Sequence, residues 1–208
     1  MSSSTSTYLS RVFGAKSIEE SRAAYDEWGS TYTKDLEAEE YLSPELTAQY
    51  VVSAGGNIAG SILDAGCGTG MCGIALARHG AKHIDGLDLS TGMLKEAEKT
   101  GLYRNLATAD LSKPLEKADG SYDVVTCVGT LTAGHVGPVP ALPEFVRVVK
   151  RDGLVVATVL GSVWASGRYE AEVDRLESEG LVEVVSKDEV EFKKTPGLKG
   201  RMVVLRKK

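Results

Sequence analysis

The stretch Ile62 to Gly70, ILDAGCGTG, constrains this chain more than any other. An apolar run, Ser61 to Ala65, enters a glycine-rich turn, and a helical pattern from Met71 to His79 leaves it and stops at Gly80. Strand, glycine turn and helix in that succession form the opening unit of a doubly wound α/β fold. Glycines let the backbone turn tightly and approach a ligand, and the helix start beyond them offers free N–H groups. The spacing discriminates between ligands. Gly66, Gly68 and Gly70 give G-x-G-x-G, whereas the dinucleotide fingerprint needs glycine where Met71 stands. A nicotinamide-dependent oxidoreductase is therefore disfavoured. The strand also ends in an acid, Asp64, a poor neighbour for a pyrophosphate and a suitable one for an ammonium group.

The rest of the chain continues the alternation expected of βαβ units. Strands are predicted over His83 to Leu87, Asn105 to Ala109, Tyr122 to Val128 and Leu154 to Leu160. Ser90 can cap a helix reaching Lys99, with Gly101 past its end. Pro140 and Pro143 mark a helix start that runs through Val149. A helix over Arg168 to Glu179 ends at Gly180. Two β-rich stretches, LVEVVSKDEVEF and RMVVLRKK, flank a Pro196–Gly197 turn and can pair as a hairpin. Before the core, Ser17-Ile18-Glu19-Glu20 is a capping box for a helix over Ser17 to Lys34, with Ile18, Tyr25, Trp28 and Tyr32 on one face. A polar connector, Ser53 to Gly60, separates this segment from the core. The expected organisation is a flexible N-terminus (1–16) and a single domain (17–208), made of a helical cap (17–60) and a Rossmann-like core (61–208).

Bulk properties exclude several classes. A chain of 208 residues suits one domain, and its net charge of −5 repels phosphate backbones, so nucleic acid is not an expected partner. Three cysteines, Cys67, Cys72 and Cys127, form neither a disulfide framework nor a zinc pattern. The start, MSSSTSTYLSRVFGAK, lacks the apolar region of a signal peptide, and no apolar run approaches the roughly 18 residues that a membrane span requires. The expectation is a soluble, cytoplasmic protein, a monomer or homodimer, with no membrane partner.

Two further acids extend the site. Asp88, in DGLDLS, lies 22 residues after Gly66 at the end of the second strand, where an acid can hold ribose hydroxyls. Asp110, in TADL, ends the third strand and can accept a hydrogen bond from an adenine amino group. Each acid alone can equally cap the turn that follows it. Together with the glycine turn, three acids at successive strand ends point to one ligand crevice.

With these motifs the chain resembles the class I S-adenosylmethionine-dependent methyltransferases over about Ser17 to Lys208. Within them it is similar to the small enzymes related to the Williams–Beuren-region methyltransferase, through YDEWGSTYTKDL, ILDAGCGTG, IDGLDLSTGML, CVGTLTAGHV, EFVRVVKRDG and VVATVL. The resemblance implies a Rossmann-like, doubly wound seven-stranded sheet in the order 3-2-1-4-5-7-6, with strand seven antiparallel and an N-terminal helical lid. It implies S-adenosylmethionine as cofactor, S-adenosylhomocysteine as product and no metal, because the methyl group is already activated by positive sulfur. Gly66, Cys67 and Gly68 would pass along the methionine moiety. Asp88, with Leu89 beside it, would take the ribose, and Met93, Asp110 and Leu111 the adenine. Cys127 and Val128 would line the methyl-donor side. Two departures stand out: Lys150-Arg151-Asp152-Gly153 replaces a K-P-G-G turn, and Thr33 replaces an acid after Tyr32.

In-line methyl transfer needs a nucleophile about 3 Å from the methyl carbon and the exclusion of water. Tyr25, Trp28 and Tyr32 could close over the cofactor or attract the sulfonium; alternatively they pack an amphipathic helix on the core. His135, after the fourth strand, is the candidate base for a hydroxyl or thiol acceptor, or else a residue that shapes the pocket. No extra substrate domain is present, so a small-molecule acceptor (O, S or N) is expected first and a protein side chain second. A cofactor-holding protein that does not methylate is the other alternative.

Overall fold

The computed structural model describes residues 8, 10–12, 14, 15, 17–132, 134–195 and 197–208. Its strands are β1 (Ser61–Ala65), β2 (His83–Asp88), β3 (Tyr103–Thr108), β4 (Tyr122–Leu131), β5 (Val149–Leu160), β6 (Val182–Glu191) and β7 (Lys199–Lys207). They form one sheet in the order β3-β2-β1-β4-β5-β7-β6, as expected from the sequence. Strands β1 to β5 run parallel where they pair, and β7 is antiparallel to both β5 and β6. The helices are α1 (Ile18–Ala38), α2 (Ser43–Ser53), α3 (Met71–Arg78), α4 (Thr91–Lys99), α5 (Pro138–Val148), the single turn α6 (Gly161–Trp164) and α7 (Arg168–Ser178). Among the described residues no helix is long and apolar enough to cross a membrane.

The central strands read as continuous apolar runs because both of their faces are covered. Side chains alternate across a strand. Leu63, Val125 and Val155 therefore join Leu142, Phe145 and Val173 of α5 and α7 in one core. Ile62, Val124 and Val156 join Val51 and Leu76 of α2 and α3 in a second core on the other face.

Several boundaries differ from the sequence reading. β3 begins at Tyr103 rather than Asn105 because side chains anchor its polar start: Arg104 Nε and Asn105 Nδ2 both donate to Asp85 Oδ1, at 3.0 and 2.9 Å. β5 begins at Val149, which pairs with Tyr122, and takes in the Lys150–Gly153 turn with Asp152 at a left-handed φ of 63°. β4 runs on to Leu131, and α5 opens at Pro138. α2 gave no periodic signal because its buried face consists of small or polar residues, Ser43, Pro44, Thr47 and Ala48, with Val51. The hairpin forms, with Glu191 opposite Lys199, although Pro196 of its expected turn lies outside the described residues. Most of the expected flexible N-terminus (1–16) also lies outside them; of the part described, Val12 is buried.

α1 starts where its capping box predicts, with Ser17 Oγ accepting from the Glu20 N–H at 3.2 Å, and runs four residues beyond Lys34 to Ala38. It does cover the ligand crevice. For Trp28 the structure bears out the packing alternative, because this residue has partners within the chain. Trp28 is 1% exposed, stacks on Tyr8 at 5.4 Å and donates its indole N–H to Asp35 Oδ2 at 2.8 Å. The helix is also seated on the start of α4. Asp26 Oδ1 accepts from Ser90 Oγ at 2.6 Å and from the Gly92 N–H at 2.8 Å. A Cβ on Gly92 would lie 2.6 Å from the Asp26 carbonyl oxygen, so only glycine permits this approach. Gly92→Ala is expected to cost about 1–3 kcal/mol by overpacking. Urea unfolding will measure the loss, and amide exchange should speed up over α1 before it does over the sheet.

Candidate active site

The site is built on the turn after β1. Gly66 has φ 75°, and a Cβ there would lie 2.2 Å from Thr130 Oγ1, so both its backbone and its surroundings demand glycine. The Gly66 and Cys67 N–H groups donate to the Leu87 carbonyl at 2.7 and 2.9 Å, tying the turn to β2. The Gly68 N–H donates to Asp88 Oδ2 at 2.8 Å, and the Ser90 N–H to Asp88 Oδ1 at 2.9 Å. One carboxylate thus joins the turns that follow two neighbouring strands. Burial raises the Asp88 pKa against the pull of those N–H groups.

Above this turn lies a cavity of about 450 Å³. It brings together Tyr25, Tyr32, Gly66, Gly68, Asp88, Leu89, Met93, Asp110, Leu111, Val128 and His135, most of the residues singled out from the sequence. Asp110 Oδ1 accepts from the N–H and Oγ of Ser112, at 2.9 and 2.5 Å, and Oδ2 lies 3.3 Å from Lys113 Nζ. Burial works against its charge, but Ser112 and Lys113 outweigh it and hold the carboxyl below its ordinary value. Cys67 lies instead in a small adjoining cavity with Tyr32, Tyr41 and Val128.

Asp64 and Cys127 line neither cavity. Strand alternation is the reason. Asp64 follows Ile62 toward the α3 side, where its carboxylate accepts from Tyr103 Oη at 2.7 Å and from Thr126 Oγ1 at 3.0 Å. Its oxygens are therefore engaged behind the turn, not offered to an ammonium group. Cys127 follows Val125 into the opposite core and is fully buried.

His135 is held from two directions. Its Nδ1 lies 2.8 Å from Thr132 Oγ1, and its Nε2 lies 3.1 Å from Tyr25 Oη. The two rings meet edge to face at 5.7 Å. Burial raises the Tyr25 and Tyr32 phenols well above their ordinary pKa, so both keep their protons. Of the other two histidines, His79 bonds Glu45 at 2.7 Å, joining α3 to α2, and His83 is exposed at the start of β2. The sequence reading did not single out Asp26, Arg22 or Thr130. Arg22 and Thr130 line the cavity, and Asp26 fixes α1 beside it. Asp26 lies within YDEWGSTYTKDL and Thr130 within CVGTLTAGHV, but neither motif marked its part in the site; Arg22 lies outside both, and its only cue is that it falls one helical turn before Tyr25 and Asp26.

A sheet in this order, a glycine turn tied to an acid at the end of β2 and a cavity above both define the Rossmann-like methyltransferase architecture. The chain belongs to the class I S-adenosylmethionine-dependent methyltransferases. A family model described as a methyltransferase domain matches residues 62–153. Methyltransferase-like protein 27 of Homo sapiens is 36% identical over 165 residues, covering 76% of this chain and 66% of that protein. The ubiquinone biosynthesis O-methyltransferase of Sodalis glossinidius is 33% identical over 136 residues, covering 61% of this chain and 53% of its own length. The chain thus spans just under two thirds of the first relative and about half of the second. Among solved structures, a TehB-like SAM-dependent methyltransferase from Corynebacterium glutamicum aligns with a TM-score of 0.66 at 22% identity, covering 89% of this chain and 99% of that one. Magnesium protoporphyrin IX methyltransferase from Synechocystis, with bound SAH, gives 0.62 at 18% identity, covering 99% and 95%. At these identities the structures establish the fold.

The acid behind the turn has a measurable signature. Burial pushes the Asp64 pKa up to about 6, with Tyr103 and Thr126 pulling it back, from an ordinary 3.8. The native state therefore binds the extra proton between those values, and stability from this group rises as pH falls from 7 toward 4. Wild type should gain about 1 kcal/mol relative to Asp64→Asn between pH 7 and pH 5, read from urea unfolding of both proteins.

Proposed function

We propose that this protein transfers the methyl group of S-adenosylmethionine to an oxygen, sulfur or nitrogen atom of a small molecule. The observation that carries the reading is the Asp88 carboxylate, oriented by Gly68 and Ser90 and lining the same cavity as the Tyr25–His135 pair. S-adenosylmethionine, when bound, supplies a methyl group activated by positive sulfur. The residues present fit it. Asp88 keeps lone pairs for two ribose hydroxyls. Leu89, Met93 and Leu111 offer apolar surface for adenine, and Asp110 an acceptor for its amino group. Gly66 and Gly68 keep the backbone bare for the methionine moiety, with Cys67, Val128 and Tyr32 beside it. His135 serves as the proton sink for an acceptor that must lose a proton. In this reading residues 17–208 act as one cytoplasmic methyltransferase domain, with α1 as its cap; α2, grouped with the cap (17–60) from the sequence, packs in the core instead. The relatives named for O-methylation favour oxygen among the three acceptor atoms.

Calorimetry with S-adenosylmethionine tests the cofactor half. Charge-assisted hydrogen bonds are worth about 1.5–3 kcal/mol each, so Asp88→Ala should weaken binding at least about tenfold. An unchanged affinity in a folded variant overturns the ribose assignment. Incubation with methyl-labelled cofactor and a small-molecule cell extract tests the transfer half. Label in a small-molecule fraction is expected; label in protein alone, or cofactor binding with no transfer, replaces the reading. His135→Asn should then slow transfer about a hundredfold, in the range a positioned base contributes, with cofactor affinity unchanged.

A further inference from the structure

We propose that Tyr25 is itself a catalytic residue: its hydroxyl meets the acceptor, a weakly acidic hydroxyl such as a phenol, and relays the acceptor's proton to His135. This rests on the methyltransferase reading above and names its acceptor class.

The geometry of His135 carries the argument. Both ring nitrogens face protein hydroxyls, Nδ1 toward Thr132 Oγ1 at 2.8 Å and Nε2 toward Tyr25 Oη at 3.1 Å. An acceptor in the cavity therefore reaches Nε2 through Oη. The relay sets the direction of the hydrogen bond. Tyr25 is half-buried in the cavity wall, and desolvation there, with Asp88 and Tyr41 adding to it, keeps its proton on; Tyr32 packs against it from two turns further along α1. A protonated phenol can donate to Nε2, and the relay requires that it does; the ring then carries its proton on Nδ1, donating to Thr132. The same surroundings disfavour a phenolate, so Tyr25 releases its own proton as it takes another.

The lining selects the acceptor. Among the described residues lining the cavity, the charged ones are Arg22, Asp88 and Asp110. Asp88 and Asp110 are assigned to ribose and adenine. The described cavity residues beside His135 in the chain, Thr130, Gly134 and Val136, carry no charge that would hold an ammonium-bearing acceptor. A neutral hydroxyl that must lose a proton suits both this lining and the relay. The balance is complete. The acceptor oxygen's lone pair forms the O–CH₃ bond as the S–CH₃ bond breaks, and that bond's pair stays on sulfur. The acceptor's proton passes to Tyr25 Oη, and the proton of Tyr25 passes to His135 Nε2, which leaves an imidazolium bonded to Thr132.

The test uses 4-nitrophenol, whose anion is yellow, added to the full-length protein saturated with S-adenosylhomocysteine so that no turnover occurs. At a pH below the free phenol's own pKa, the wild type should bind it as the yellow anion. Tyr25→Phe keeps the ring and its packing; it should bind S-adenosylhomocysteine unchanged and still bind 4-nitrophenol, with the yellow anion lost. His135→Asn should lose it too. Nitrogen NMR of wild-type His135 should read the Nδ1–H tautomer. An anion that persists in Tyr25→Phe would mean that His135 acts directly, and overturns the relay. A colourless bound phenol in the wild type, or the Nε2–H tautomer, overturns it as well. No 4-nitrophenol binding to a protein that holds S-adenosylhomocysteine overturns the acceptor class. Failure to bind S-adenosylhomocysteine at all strikes the underlying methyltransferase reading instead.

Discussion

The carboxylate of Asp88 is the joint on which the site depends. It accepts from Gly68 in the turn after β1 and from Ser90 in the turn after β2. Two loops already joined through the Leu87 carbonyl are thereby locked to each other. Hydrogen bonds to a charged group are stronger than neutral ones, and here both donors are backbone groups with no rotamer to lose. From Ser90 the chain of bonds continues to Asp26, and through it to α1. The floor of the cavity and its cap are thus parts of one connected polar network.

That connection explains how residues distant in sequence come to face one another. Tyr25 and His135 are separated by 110 positions, yet they meet within hydrogen-bond distance. Tyr25 is placed by α1, which Asp26 seats on α4 and which Thr33 ties to Thr69 at 2.7 Å. His135 is placed by the loop after β4, where Thr132 holds its other nitrogen. Each ring is oriented by its own segment before the two meet, which is how a site gains precision from scaffold and supporting contacts together.

The buried acid behind the turn shows a different use of charge. Asp64 lies under the glycine turn with Tyr103 and Thr126 donating to it, and burial still raises its pKa. A carboxyl in that position costs stability near neutral pH. It also gives the buried hydroxyls of β3 and β4 an acceptor behind the turn that carries the site, where unpaired polar groups would cost more.

The amino-acid sequence by itself determined the features that are local or periodic. The glycine turn was legible because its backbone conformation excludes other residues. The caps at Ser17 and Ser90 were legible because a short side chain must meet an N–H three residues on. The apolar runs of β1, β4 and β5 were legible because strands covered on both faces have no polar side. Asp88 followed from its distance to the turn, and the sheet order from the family resemblance those motifs carry. Tertiary structure alone decided which way a side chain faces and what it meets. Asp64 and Asp88 both end strands, yet one turns behind the loop and the other into the cavity, because strand alternation meets a different neighbour in each case. α2 and the early start of β3 depend on small-residue packing and on side-chain anchors to Asp85, which leave no periodic trace. The seat of Asp26 on Gly92 and the meeting of Tyr25 with His135 arise only when α1 docks, since long-range contacts are set by packing between elements and not by the order of residues within them.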